Sequence, residues 1–264
     1  RRVPVERDER QVLDVDGEEL RAMDKLIELY LKLGQWEPLL LVYSRKANVV
    51  DDPEEKKTLL VEVGAVFERE LGDSAKAMDT YQRILEIDPD DITAIGRLDA
   101  LYQASGNWQE LLSVLEHGAE LASDPSEVIS YRYRIAELWH RHLGDAARAV
   151  EGYRAILEII PDHEPPLAAL EQMIAEGIEP LAAAGVLEPV YRAAGEWARL
   201  IAVHEVQIAH EQDPVRSVEL LHAVAELYET ALDDAEHAFA AYARAVPIDS
   251  ANETTLAALE RLAE

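Results

Sequence analysis

Cysteine is missing from the 264-residue chain, which excludes a disulfide framework, a thiol nucleophile and any zinc site built on thiolates. Basic residues are scarce: 25 Lys and Arg stand against 53 Asp and Glu, a formal net charge of −28. Binding nucleic acid through its phosphates takes a basic face, so no nucleic-acid partner is expected. No apolar run approaches the roughly 20 residues that span a bilayer, and no membrane insertion is expected. Arg1-Arg2-Val3-Pro4 has no apolar stretch behind it of the signal-peptide kind. Localisation otherwise stays open, with the cytoplasm as the default. The usual chemical motifs are also absent: there is no GxGxxG, no GxxxxGK phosphate loop and no GxSxG elbow. Hydrophobic residues at 48% still suffice for a substantial core, which excludes a disordered acidic tail.

What the chain does contain is repetition. Gly34-Gln35-Trp36, Gly106-Asn107-Trp108 and Gly195-Glu196-Trp197 open alike, and each Trp is followed 17 residues later by the proline of an Asp-Pro pair: Pro53, Pro125 and Pro214. A second kind of segment alternates with the first. Leu71-Gly72-Asp73, Leu143-Gly144-Asp145 and Leu232-Asp233-Asp234 each begin the same run, through Ala77, Ala149 and Ala238 to Tyr81, Tyr153 and Tyr242. These runs end at Pro89, Pro161 and Ser250. The units are about 36 residues long and pair into a 72-residue super-repeat, as Gly34 to Gly106 shows. Apolar residues within a unit recur at helical spacing, glycine closes the first helix, and proline ends the second. Each unit is therefore a helix hairpin apolar on more than one side, which buries its faces only by stacking on neighbours.

The pattern Val63, Gly64, Phe67, Gly72, Ala77, Tyr81, Pro89 resembles the tetratricopeptide repeat (TPR), and the resemblance covers essentially residues 12–264. It implies an all-α fold: an α-solenoid, a right-handed superhelix of about six or seven antiparallel hairpins with one irregular insertion. The units ending at Pro89, Pro161 and Ser250 depart from the family by one extra residue before the glycine position.

Pro89 to Gly106 spans 17 residues, whereas Pro161 to Gly195 spans 34. The insertion reads as two helices where one is expected, about 166–176 and 180–194. Pro189 falls inside the second and should kink or split it. The expected organisation is residues 1–16 as the end of a preceding repeat or a flexible start, and 17–161 as the regular array. Residues 162–195 form an elbow with a bend or break, and 196–264 carry further units of an array that continues beyond this chain.

Two Glu-x-x-His segments, Glu137 to His140 and Glu219 to His222, place a carboxylate and an imidazole on one helix face. In a one-dimensional stack they do not converge, so no metal and no cofactor is expected. No constellation points to catalysis, and the chain is read as a non-enzymatic scaffold. The TPR resemblance further implies a concave groove lined by first helices. Carried over position by position, its partner-binding residues are Arg21, Asp24 and Glu28, then Val61 and Glu68, then Gln103. Tyr133, Glu137 and His140 continue the row, and His222, Glu226 and Glu229 complete it. The Lys and Asn residues with which some TPR domains clamp an acidic chaperone tail are absent here. The expected partner is a peptide or helix of another protein, one rich in Lys or Arg, with homo-oligomers left open. The alternative is a sensory or regulatory arm of a larger multidomain protein.

Overall fold

The computed structural model describes residues 6–263, with side chains from residue 19 onward. Among the described residues there are fourteen α-helices and no strand. Contacts divide them into two units, one ending at Leu121 and the other starting at Ala122. The first holds α1 (Glu6–Leu33), α2 (Trp36–Val49), α3 (Pro53–Arg69), α4 (Ser74–Ile87), α5 (Ile92–Ser105) and α6 (Trp108–Leu121). The second holds α7 (Pro125–Leu138), α8 (Ala146–Leu157), α9 (Glu164–Glu176), α10 (Pro180–Ala194), α11 (Trp197–His210), α12 (Pro214–Glu226), α13 (Ala235–Ala245) and α14 (Glu253–Leu262). Within each unit every helix packs on the next one in sequence.

The ends of the helices follow from local chemistry. Asp52, Asp91, Asp124 and Asp213 are N-caps whose carboxylates accept backbone N–H groups of the first turn, satisfying donors that the helix itself leaves open. Asp73, Asp145 and Asp234 do the same at the corners of the second kind of segment. Gly34, Gly106 and Gly195 hold φ of +62° to +73° at the helix C-termini, and the Trp two residues on folds its indole over each of them. At the place of Gly72 and Gly144 the last unit has Asp233, which takes φ +55° despite its side chain.

The extra residue noted in the sequence is absorbed by widening a helical turn. α7 passes into a π-helical turn at Trp139–Leu143 and α12 into another at Leu227–Ala231. In the equivalent place after α3, the Leu71 N–H bonds the Val66 carbonyl five residues back, at 3.1 Å. One additional residue in a hydrogen-bonded ring lets the flanking faces keep their register. The core is built from the repeat positions. Ala77, Ala149 and Ala238 are fully buried, with Tyr81, Tyr153 and Tyr242 beside them. Gly64 allows α3 and α4 to touch: a Cβ there would lie 2.6 Å from the Tyr81 ring.

The inserted stretch forms two helices, α9 and α10, both inside the second unit, and the division between the units falls between Leu121 and Ala122. Pro189 lies within α10 without ending it. The backbone is helical without interruption from Glu6 to Leu33, so no helix end marks the expected boundary at residue 16. The side chains of Val12 to Asp16, assigned to the end of a preceding repeat, lie outside the described residues.

Candidate functional site

In the first unit the expected binding residues lie on α1, α3 and α5. Arg21, Glu28 and Gln103 are exposed, and Val61 and Glu68 are half-buried. Asp24 accepts a hydrogen bond from Lys46 Nζ at 2.8 Å, and that ammonium also meets Glu55 at 3.1 Å, joining α1, α2 and α3. Glu68 accepts from the Tyr81 hydroxyl at 3.3 Å and faces Arg97 of α5 at 3.7 Å. A stronger tie was not foreseen. Lys57 is 8% exposed and is surrounded by Glu54, Asp88 and Asp91. It joins α3 to the corner between α4 and α5. Its ammonium holds the Asp88 carboxyl below the usual carboxylate range, because the charged form gains both a hydrogen bond and an opposite charge.

In the second unit, contacts between helices two apart define two layers. His140 approaches Glu176 of α9 at 4.0 Å. Arg199 of α11 reaches Glu164 and Glu171 of α9 at 3.2 and 3.6 Å. Arg244 of α13 grips Glu205 of α11 with two bonds, 2.6 and 2.7 Å. On the other side, α8 and α10 share a cleft, Glu188 of α10 acts electrostatically on Arg216 of α12, and His222 of α12 bonds Thr255 of α14 at 2.7 Å. Arg261 of α14 pairs with Glu229, whose carboxyl it holds below its ordinary range. One layer is therefore α7, α9, α11, α13 and the other α8, α10, α12, α14.

This placement divides the expected groove. Consecutive helices alternate between layers, so inserting one helix shifts every later helix to the opposite layer. By sequence α12 is a first helix like α7, yet it stands in the layer of the second helix α8. Tyr133, Glu137 and His140 consequently lie in one layer, and His222, Glu226 and Glu229 in the other. The acidic character is also weaker than the sequence implies, because Asp24, Glu68, Glu137 and Glu229 each have a cation of this chain beside them. Glu28 and Glu226 remain exposed and make no ion pair among the described residues. The two Glu-x-x-His pairs stay apart, and no group of three His, Asp or Glu among the described residues is arranged to hold a metal.

Two adjoining clefts in the second unit escaped the sequence reading. One, of about 330 Å³, is lined by Arg154, Leu157 and Pro161 and by Val186, Pro189 and Val190. The other, of about 300 Å³, shares Pro161, Val190 and Ala193 with it and continues to Asp162, Glu196 and Arg199. A polar chain pins α11 to α10. Buried His204 bonds Gln207 at 2.9 Å, and the Gln207 amide donates to Glu188 at 2.8 Å. Gly185 and Pro189, four residues apart on one exposed face, were the signal that marked the place.

Paired helices in rows, cornered by glycine and capped by aspartate, with clefts between helices of one layer, make this a helical-repeat protein of the α-solenoid class. Models of the tetratricopeptide repeat match residues 60–91 in one version and residues 94–129 and 183–214 in another. The chain carries a tandem array of tetratricopeptide-repeat units that includes these segments. The match at 183–214 covers α10 and α11, which makes α9 the additional helix. Similar solved structures include a tetratricopeptide repeat protein from Parabacteroides merdae, at 15% identity and TM-score 0.40 over 94% of this chain and 100% of that one. MamA is similar at 13% identity and TM-score 0.38, over 82% of this chain and 96% of that one. Naa15/Naa10 bound to HypK-THB is similar at 11% identity and TM-score 0.44, over 93% of this chain and 40% of that one. No curated protein matches the chain in sequence.

Proposed function

We propose that this chain is a protein-interaction scaffold without catalysis of its own, holding a peptide or helix of another protein on its exposed helix faces. The tetratricopeptide-repeat fold generally mediates protein–protein interaction. The observation that carries the reading for this chain is the pair of adjoining, largely apolar clefts between α8 and α10 and around the starts of α9 and α11. A stack of helices leaves such furrows between neighbours in one layer, and side chains of a partner fill them. A partner with Lys or Arg agrees with the net charge of −28 and with the unpaired Glu28 and Glu226. Complementary charge speeds encounter and is screened by salt. Cross-linking capture with the full chain, at low and at high salt, tests this. A specific protein retained at low salt and weakened at high salt is expected, with Glu28→Lys and Glu226→Lys reporting which faces contribute. Absence of any protein enriched over a charge-matched acidic control would overturn the scaffold reading.

A further inference from the structure

We infer that the cleft between α8 and α10 is a docking site for a basic amphipathic helix of a partner protein, one whose apolar stripe is flanked by Lys or Arg. The inference deepens the scaffold reading and rests on it. The first observation concerns α10 itself. Gly185 and Pro189 are the two residue types least suited to a helix interior, yet both stand within α10 on one exposed face. Internal packing does not require the glycine: a Cβ at Gly185 would meet nothing within 4 Å, and its φ is not in the left-handed region. The contrast with Gly64, where a Cβ would strike Tyr81 at 2.6 Å, is plain. A glycine that no internal neighbour demands, on the wall of an apolar cleft, is suited to close approach by something outside the chain. Pro189 adds an acceptor at the same place. It has no N–H to give the Gly185 carbonyl, so that oxygen lacks its intrahelical donor.

The second observation is the charge around the cleft. Its interior is apolar, with Leu157 of α8 facing Val186 and Val190 of α10. On the rim, Glu158 and, in the adjoining cleft, Asp162 and Glu196 are exposed and make no ion pair among the described residues. The cations present are already engaged: Arg154 pairs with Glu151 at 3.1 Å, and Arg199 with Glu164 at 3.2 Å. An apolar slot with unpaired carboxylates at its edge and an open carbonyl in its wall takes leucine-like side chains flanked by ammonium or guanidinium groups. These groups supply the hydrogen-bond donors and the opposite charge.

The probe is a fluorescein-labelled amphipathic helix of leucine and lysine, with two controls: glutamate in place of every lysine, and serine in place of every leucine. Anisotropy with the full chain should rank the leucine–lysine helix above both. Gly185→Leu fills the slot with a better helix former, so its melting temperature should not fall, while affinity for the leucine–lysine helix should drop by about tenfold or more, the scale of losing one interface hot spot. Pro189→Ala, which returns a donor to the Gly185 carbonyl, should weaken binding by a smaller factor. Equal affinity of wild type and Gly185→Leu overturns the docking site. So does an affinity for the serine or glutamate control that equals or exceeds that for the leucine–lysine helix, or no binding of that helix at all. If Gly185→Leu leaves intact the protein capture described above, the scaffold stands and the docking site fails.

Discussion

Gly64 and Gly185 both lie in helix interiors but in opposite circumstances, and the same substitution in each should move stability in opposite directions. Alanine at either position gains about 1 kcal/mol of helix propensity over glycine. At Gly185 that gain is uncontested, because the new methyl meets no atom within 4 Å. Gly185→Ala is therefore expected to stabilise the second unit by about 1 kcal/mol. At Gly64 the methyl would be 2.6 Å from Cζ and 2.7 Å from Cε1 of Tyr81, roughly 1 Å inside ordinary carbon contact distance. The ring has nowhere to go, since Tyr81 is fully buried and its hydroxyl is held by Glu68 at 3.3 Å. Overpacking on that scale costs about 3 kcal/mol, so Gly64→Ala should destabilise the first unit by about 2 kcal/mol net. Urea titration followed by circular dichroism measures both, each variant shifting the transition of its own unit if the two unfold separately. Shifts of the same sign in the two variants would refute the close approach of α3 to α4 and the openness of α10.

Other consequences can be checked alongside. Asp233 holds the left-handed conformation that glycine holds at Gly72 and Gly144, so Asp233→Gly should raise stability by about 1 kcal/mol in thermal melts. Pro189→Ala restores a helical hydrogen bond and should stabilise α10 by up to about 3 kcal/mol, with slowed amide exchange at position 189 as the direct sign. Lys57→Met leaves Glu54, Asp88 and Asp91 close together without their cation and should lower the melting temperature near neutral pH. Because Lys57 depresses the Asp88 pKa below 3.8 in the folded state, that stabilisation is present above the unfolded value and is lost as pH falls through the folded one. The gap between wild type and Lys57→Met should thus narrow as pH falls from about 5 to about 2. A gap that widens in acid would contradict the assignment.

The sequence by itself determined the hairpins, their corners and their caps. These are local: a positive φ at Gly106, an Asp carboxylate over the first turn at Asp124, or a proline at the start of α12 is decided by the nearest few residues. The additional helix was legible too, since 34 residues between Pro161 and Gly195 exceed what one helix needs. Which layer each later helix joins was not legible as a binding surface, because layer membership is a count of all preceding helices and not a property of α12. The fate of each carboxylate was equally hidden. Glu229 finds Arg261 across 32 positions, and Lys57 gathers Asp88 across 31, separations over which spacing rules say nothing. The cleft between α8 and α10 belongs to the same class: both of its walls were readable as helices, but only their side-by-side placement in one layer made them a site.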